Sequence, residues 1–140
     1  METIVDNQTI TLKKKIGIFY KEHVMWYQDM PCPIKNVLAE SLDKWSLFIL
    51  YNLGYSGTMR FNKLKSRIDG ISSRMLSATL KKLEANRIVS RVVYAEVPPR
   101  VEYSLTEFGK ELTDRVIDLS QWYLEHSPGL TRESQKQKWI

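Results

Sequence analysis

Apolar positions recur along this chain at helical spacing in some stretches and at strand spacing in others, and each stretch predicts an element. From Thr9 to about Gln28, the residues Leu12, Ile16, Phe19, Tyr20, His23 and Tyr27 fall near one face of a helix. Gly17 interrupts that run with a poor helix former. Met30-Pro31-Cys32-Pro33 breaks it, because each proline disfavours helical geometry in the residue before it. Ile34–Ser41 predicts a second helix, with Pro33 suited to its first position. Asp43 can cap a third, Lys44–Leu53. That helix is apolar nearly all round, at Trp45, Leu47, Phe48, Ile49, Leu50, Tyr51 and Leu53, so it should be the most buried element. Tyr55-Ser56-Gly57 should end it, and Thr58–Arg60 should add a short strand.

The next stretch is the most telling. In Phe61–Ile68, the apolar Phe61, Leu64 and Ile68 share a face and leave Lys63, Lys65 and Arg67 outside. A turn follows at Asp69-Gly70. A helix from about Ser72 to Glu84 then turns Leu76, Leu80 and Leu83 inward and Arg74, Ala78 and Lys81 outward, flanked by Ser77 and Lys82. Asn86 can adopt the left-handed conformation that ends such a helix. Val89–Ala95 is rich in β-branched residues. Val101, Tyr103 and Leu105 alternate with Glu102 and Ser104, so these two segments predict a hairpin tipped by Pro98-Pro99-Arg100. Thr106 caps a last helix to about His126, striped by Phe108, Leu112, Val116, Leu119 and Tyr123, and Pro128-Gly129 closes it. Helix, turn, helix, hairpin is the order of a winged helix-turn-helix, which sets its second helix in the DNA major groove.

Composition sharpens this in one respect. The chain of 140 residues, 43% hydrophobic and 26% charged, is ordinary for one globular domain. Its formal charge of +5 and pI of about 9.3 favour a polyanionic partner, nucleic acid first. No run approaches the roughly 20 apolar residues of a membrane span. The N-terminus lacks a signal-peptide order, and a cytoplasmic location is expected. The single cysteine, Cys32, excludes an intrachain disulfide and leaves one between two chains open.

The candidate chemistry is that of recognition. Arg74 is the expected base reader, because a guanidinium can bond a guanine edge bidentately. Ser73 and Ser77 can each make a hydrogen bond, and Ala78 can offer its methyl to a thymine. Lys81, Lys82 and Lys63 are expected to hold phosphates. Arg100 at the wing tip is expected to enter a minor groove of high negative potential. Cys32 beside a helix start has either a lowered thiol pKa and a sensing role or a packing role at a dimer interface, and packing is the favoured reading. Phe19, Tyr20, Trp26, Tyr27, Trp45 and Tyr51 are expected to be core first, and the lining of a small-molecule effector pocket second. His23 and His126, with one cysteine, make no metal site. No phosphate-binding glycine loop and no catalytic constellation is present. No cofactor is expected, and the chain is not expected to be an enzyme. The competing classes are a winged-helix module that binds protein and a non-specific architectural DNA binder.

Several strings also resemble a known family. They are Cys32-Pro33-Ile34, Lys44-Trp45, Arg60-Phe61-Asn62 with Leu64, and Gly70-Ile71-Ser72 into Arg74-Met75-Leu76. Leu83-Glu84, the run from Glu96 to Tyr103, Leu105-Thr106 and Gly109 extend the match. Together they are similar to the HxlR-type regulators, a winged-helix branch related to MarR-like repressors, over about Cys32 to Trp122. The resemblance implies an α+β, mainly α fold with N- and C-terminal dimerisation helices. It also implies a homodimeric transcription regulator that binds double-stranded DNA at a palindromic operator, with repression favoured. Some members sense electrophiles or oxidants through the cysteine that Cys32 matches. Two departures stand out: Leu42-Asp43 where the family often has Gly-Gly, and Arg87 where it often has glycine after the recognition helix. The domain reading is an N-terminal extension at 1–31, expected to be helical and to support the dimer. The winged-helix domain with its last helix then covers 32–126, and a polar tail 127–140.

Overall fold

The computed structural model describes residues 7–23 and 38–128, in two units that span 1–43 and 44–140. In the first unit, helix α1 is Asn7–His23 and runs unbroken through Gly17, while α2, Ala39–Ser41, is a single turn. Leu12, Ile16, Phe19 and Tyr20 on α1 are all exposed. The end of the predicted first helix (24–28), the first half of the second (34–37) and Cys32 lie outside the described residues.

The second unit contains α3 (Lys44–Ser56), β1 (Met59–Arg60), α4 (Phe61–Arg67), α5 (Ser73–Ala85), β2 (Val89–Tyr94), β3 (Arg100–Leu105) and α6 (Glu107–His126). The strands pair antiparallel in the order β1-β3-β2, so β3 is central. The fold is that of a mainly helical winged helix-turn-helix. Its core takes Ile49, Leu50 and Leu53 from α3, Leu64 from α4, Leu76, Leu80 and Leu83 from α5, and Ile88, Val89 and Leu105 from the sheet region. Each such side chain contributes about 1.5–3 kcal/mol by leaving water. The three α5 leucines at i, i+4 and i+7 therefore fix the rotation of that helix about its axis.

Four expectations need correction. First, α3 runs three residues past Leu53 and stops at Gly57, whose φ of 81° is open to glycine without strain. Second, α3 is not buried all round. Ser46, Ile49, Leu50 and Leu53 face inward, whereas Phe48 and Tyr55 are exposed, so its apolar surplus exceeds what this core covers.

Third, only part of the expected α6 stripe meets the core. Val116 is buried and Leu112 packs against the core, joined by the buried Gly109 and Thr113, while Phe108, Leu119 and Tyr123 are exposed. The reason is close approach. A Cβ on Gly109 would overlap the carbonyl oxygen of Ile88, so only glycine lets α6 start so near the end of α5.

Fourth, the left-handed residue after α5 is Arg87, with φ 57°, and not Asn86, whose φ is −84°. Ile88 N–H donates to Leu83 O at 2.9 Å and Arg87 N–H donates to Glu84 O at 2.9 Å. This six-to-one and five-to-two pair is a Schellman ending, which places the left-handed residue one position past the cap. The buried Ile88 and Leu83 supply its customary apolar pair. Thr106 joins this ending to the next element. Its hydroxyl donates to Arg87 O at 2.6 Å and accepts from Gly109 N–H at 3.0 Å, and the latter bond caps α6 as expected.

Candidate nucleic-acid interface

The local sequence builds the reading head in three steps. Gly70, at φ 79°, turns the chain out of α4. Ser72, extended at φ −79° and ψ 156°, caps α5 by accepting a hydrogen bond from Met75 N–H at 3.1 Å. Such a cap stabilises a helix by about 0.5–2 kcal/mol. The leucine stripe then holds the inner face, and the outward side chains follow from helical geometry.

On α5, Ser73, Arg74, Ala78 and Lys81 are exposed, and Ser77 and Lys82 are half-buried. Arg74 lies in the first turn, the end of a recognition helix that meets base edges. Ser77, Lys81 and Glu84, at i, i+4 and i+7, form a stripe on the flank of α5 that faces the wing. Lys82 sits on the other flank. Lys63 is exposed on α4. The structure thus brings Arg74, Ala78 and Lys81 onto one surface and sets Lys63 on a neighbouring helix.

Arg100 has a different setting from the one expected at a wing tip. It is the first residue of β3, opposite Tyr94, and its side chain is only 28% exposed. Its guanidinium carbon lies 4.1 Å from the centre of the Tyr94 ring. Nη2 is 3.4 Å from Glu96 Oε1, and Nε is 3.3 Å from Glu102 Oε1, an ion-pair distance without hydrogen-bond alignment. The tip itself is the Ala95–Pro99 loop, with Val97 fully exposed.

A different arginine faces the recognition helix. Val89 pairs with Leu105 and both are buried, so their face of the hairpin is the core face. Two residues on, Arg91 pairs with Tyr103 on that same face, just beyond the end of the core. Arg91, Tyr103, Ser77, Lys81 and Glu84 line a groove of about 370 Å³ between α5 and the hairpin. Arg91 was missed in the sequence because a strand of valines was read for its β-branching alone. The parity that puts Val89 inside also puts Arg91 on the α5 side.

Trp45 packs against the core, and Phe19 and Tyr20 are exposed on α1. Tyr51 bonds Ser120 Oγ at 2.7 Å and lines a largely apolar cleft of about 400 Å³ with Gly54, Tyr55, Leu105 and Ile117. Trp26 and Tyr27 lie outside the described residues. Among the described residues, no group of three or more His, Cys, Asp or Glu could hold a metal ion. No helix among them is long and apolar enough to cross a membrane.

Comparison with known proteins agrees with this geometry. A family model described as HxlR-like helix-turn-helix matches residues 41–129. YybR, an HTH-type transcriptional regulator of Bacillus subtilis, is 40% identical over 113 residues, covering 75% of this chain and 90% of that one. The solved structure of the transcriptional regulator ytfH from Salmonella typhimurium superposes with a TM-score of 0.64. It is 34% identical and covers 81% of this chain and 96% of its own. The redox regulator HypR in its oxidized form superposes with a TM-score of 0.59 at 40% identity, covering 68% and 97%.

Proposed function

The chain belongs to the HxlR-like helix-turn-helix family of transcriptional regulators, and on that premise we propose that it binds a roughly palindromic operator as a homodimer and represses transcription by occupying it. The observation that carries this reading is the outward surface of α5. A capped helix, locked in rotation by three buried leucines, presents Arg74, Ala78 and Lys81 beside a hairpin wing. Arg74 reads a base edge, Ser73 and Ala78 add local contacts, and Lys81, Lys82 and Lys63 hold phosphates.

The dimer is supported by α6. Phe108 is 55% exposed, Leu119 62% and Trp122 58%, large apolar side chains near one face of the helix and left to water. A second copy covering this surface sets two α5 helices about one turn of DNA apart. A response to oxidants through Cys32 is part of the proposal, supported by the likeness to HypR and by Cys32 being the one cysteine.

The test is selection from a random DNA pool with purified protein, reduced and then treated with a disulfide-forming reagent. An enriched palindrome under reducing conditions is the expected result, altered by oxidant in wild type and unaltered in Cys32→Ser. Arg74→Ala should lower preference for the palindrome by about 1–3 kcal/mol while leaving binding to random duplex nearly unchanged. Binding without any preferred sequence would replace the regulator reading with that of an architectural binder.

A further inference from the structure

The wing carries two arginines on opposite faces, and their surroundings differ. Arg100 shares the parity of Glu102 and Ser104, away from α5, and is held by Glu96, Glu102 and the Tyr94 ring. Releasing it to DNA would break those contacts. Arg91 shares the parity of Val89, is exposed, and faces α5. Neither Arg91 nor Lys81 forms an ion pair with a described residue. Their positive charges are therefore available to an incoming anion.

From this we infer that Arg91 and Lys81 clasp one phosphate of the DNA backbone in the groove between α5 and the wing. This rests on the reading that α5 enters the major groove, and it names the anchor that fixes how deeply α5 sits. The groove fits the task in three respects. Its volume of about 370 Å³ accommodates a phosphate with its water. Its walls come from two elements, a helix and a strand, so a phosphate held there ties the wing to the recognition helix. Tyr103 and Ser77 line the same space, and their hydroxyls are of a kind that donates to phosphate oxygens. Guanidinium geometry suits this role, since its fork matches two phosphate oxygens.

Glu84 is the opposing element. It lines the same groove with a negative charge, so the net charge of the lining is one positive. A phosphate entering must come near it. Glu84 thus holds phosphate affinity below what two unopposed cations would give. That restrains non-specific binding, in which the sequence-independent phosphate contacts act alone.

The experiment measures the affinity of the full chain for a fluorescein-labelled random duplex, and for the selected operator, across a salt series. Arg91→Ala should reduce the slope of log affinity against log salt on both duplexes alike, and Arg91→Ala with Lys81→Ala should complete a loss of about 0.9, one phosphate contact. Arg91→Lys should keep the wild-type slope. Glu84→Gln should tighten binding to both duplexes. Arg100→Ala should leave the slope unchanged. Arg91→Ala with the wild-type slope, or with a loss confined to the operator, would overturn the clasp. Phosphate contacts are independent of sequence, so a wild type that binds random duplex without preferring any operator still tests the clasp while removing the operator reading. A wild type that binds no duplex overturns both.

Discussion

Helices α5 and α6 are both amphipathic, and the core uses them very differently. On α5 the apolar stripe and the buried stripe coincide: Leu76, Leu80 and Leu83 are each at most 1% exposed. On α6 the core takes Gly109, Thr113 and Val116, with Leu112 packed against it, and leaves Phe108, Leu119, Trp122 and Tyr123 in water. An apolar stripe in a sequence records all the burial a residue experiences, in its own fold and in its assemblies. Where stripe and core coincide, the helix has a free polar face for a ligand. Where they diverge, the surplus is the surface on which the proposed dimer rests.

The largest effect should come from exchanging one kind of apolar residue for the other. Leu80→Ala removes a side chain that touches the core on every side and should destabilise the fold by about 2–5 kcal/mol. Leu119→Ala, with a similar loss of apolar volume, should change the unfolding free energy of the isolated monomer, read by urea titration, by less than about 0.5 kcal/mol. Its effect should appear as weaker self-association in sedimentation at low concentration. Equal losses of monomer stability in the two variants would erase the distinction between the helices.

A smaller effect isolates the junction between them. Gly109→Ala places a methyl on the Ile88 carbonyl, against backbone that is itself held by the Thr106 N–H at 3.0 Å. Overpacking of this kind costs about 1–3 kcal/mol. Because Ile88 closes the Schellman ending of α5, the strain should reach the recognition helix. Hydrogen exchange should show faster opening at Leu83 to Ile88 than at the α6 C-terminus. Protection lost only in the second half of α6 would show that the junction does not couple the two helices.

Much of this was legible in the residues, and the rest was hidden for identifiable reasons. The α5 leucines, the Ser72 and Thr106 caps and the hairpin strands depend on neighbours within a few positions, and such signals survive in one dimension. The face of α6 depends on Gly109, whose role is to let Ile88 approach from 21 positions upstream, and glycine carries no hydrophobic signal. Arg100 looked like a tip residue because it follows two prolines, yet its partners Tyr94, Glu96 and Glu102 become neighbours only when the hairpin closes. Arg91 was within reach of strand parity and was passed over for its setting among valines.

The smallest effect concerns how α5 ends. Arg87 occupies the left-handed position, where a Cβ crowds the following carbonyl and costs an L-residue about 1–2 kcal/mol. Glycine removes that crowding, although its freer unfolded chain returns about 0.5–1 kcal/mol of the gain. Arg87→Gly should therefore raise stability by about 0.5–1 kcal/mol, read as a higher urea midpoint at constant slope. The hydrogen bond from Thr106 goes to the Arg87 carbonyl, which glycine retains, so the junction with α6 should be untouched. The exposed Arg87 side chain is lost as well, and a parallel salt series on random duplex should show the wild-type slope. A reduced slope there would make Arg87 a phosphate contact, kept in a strained position for its charge.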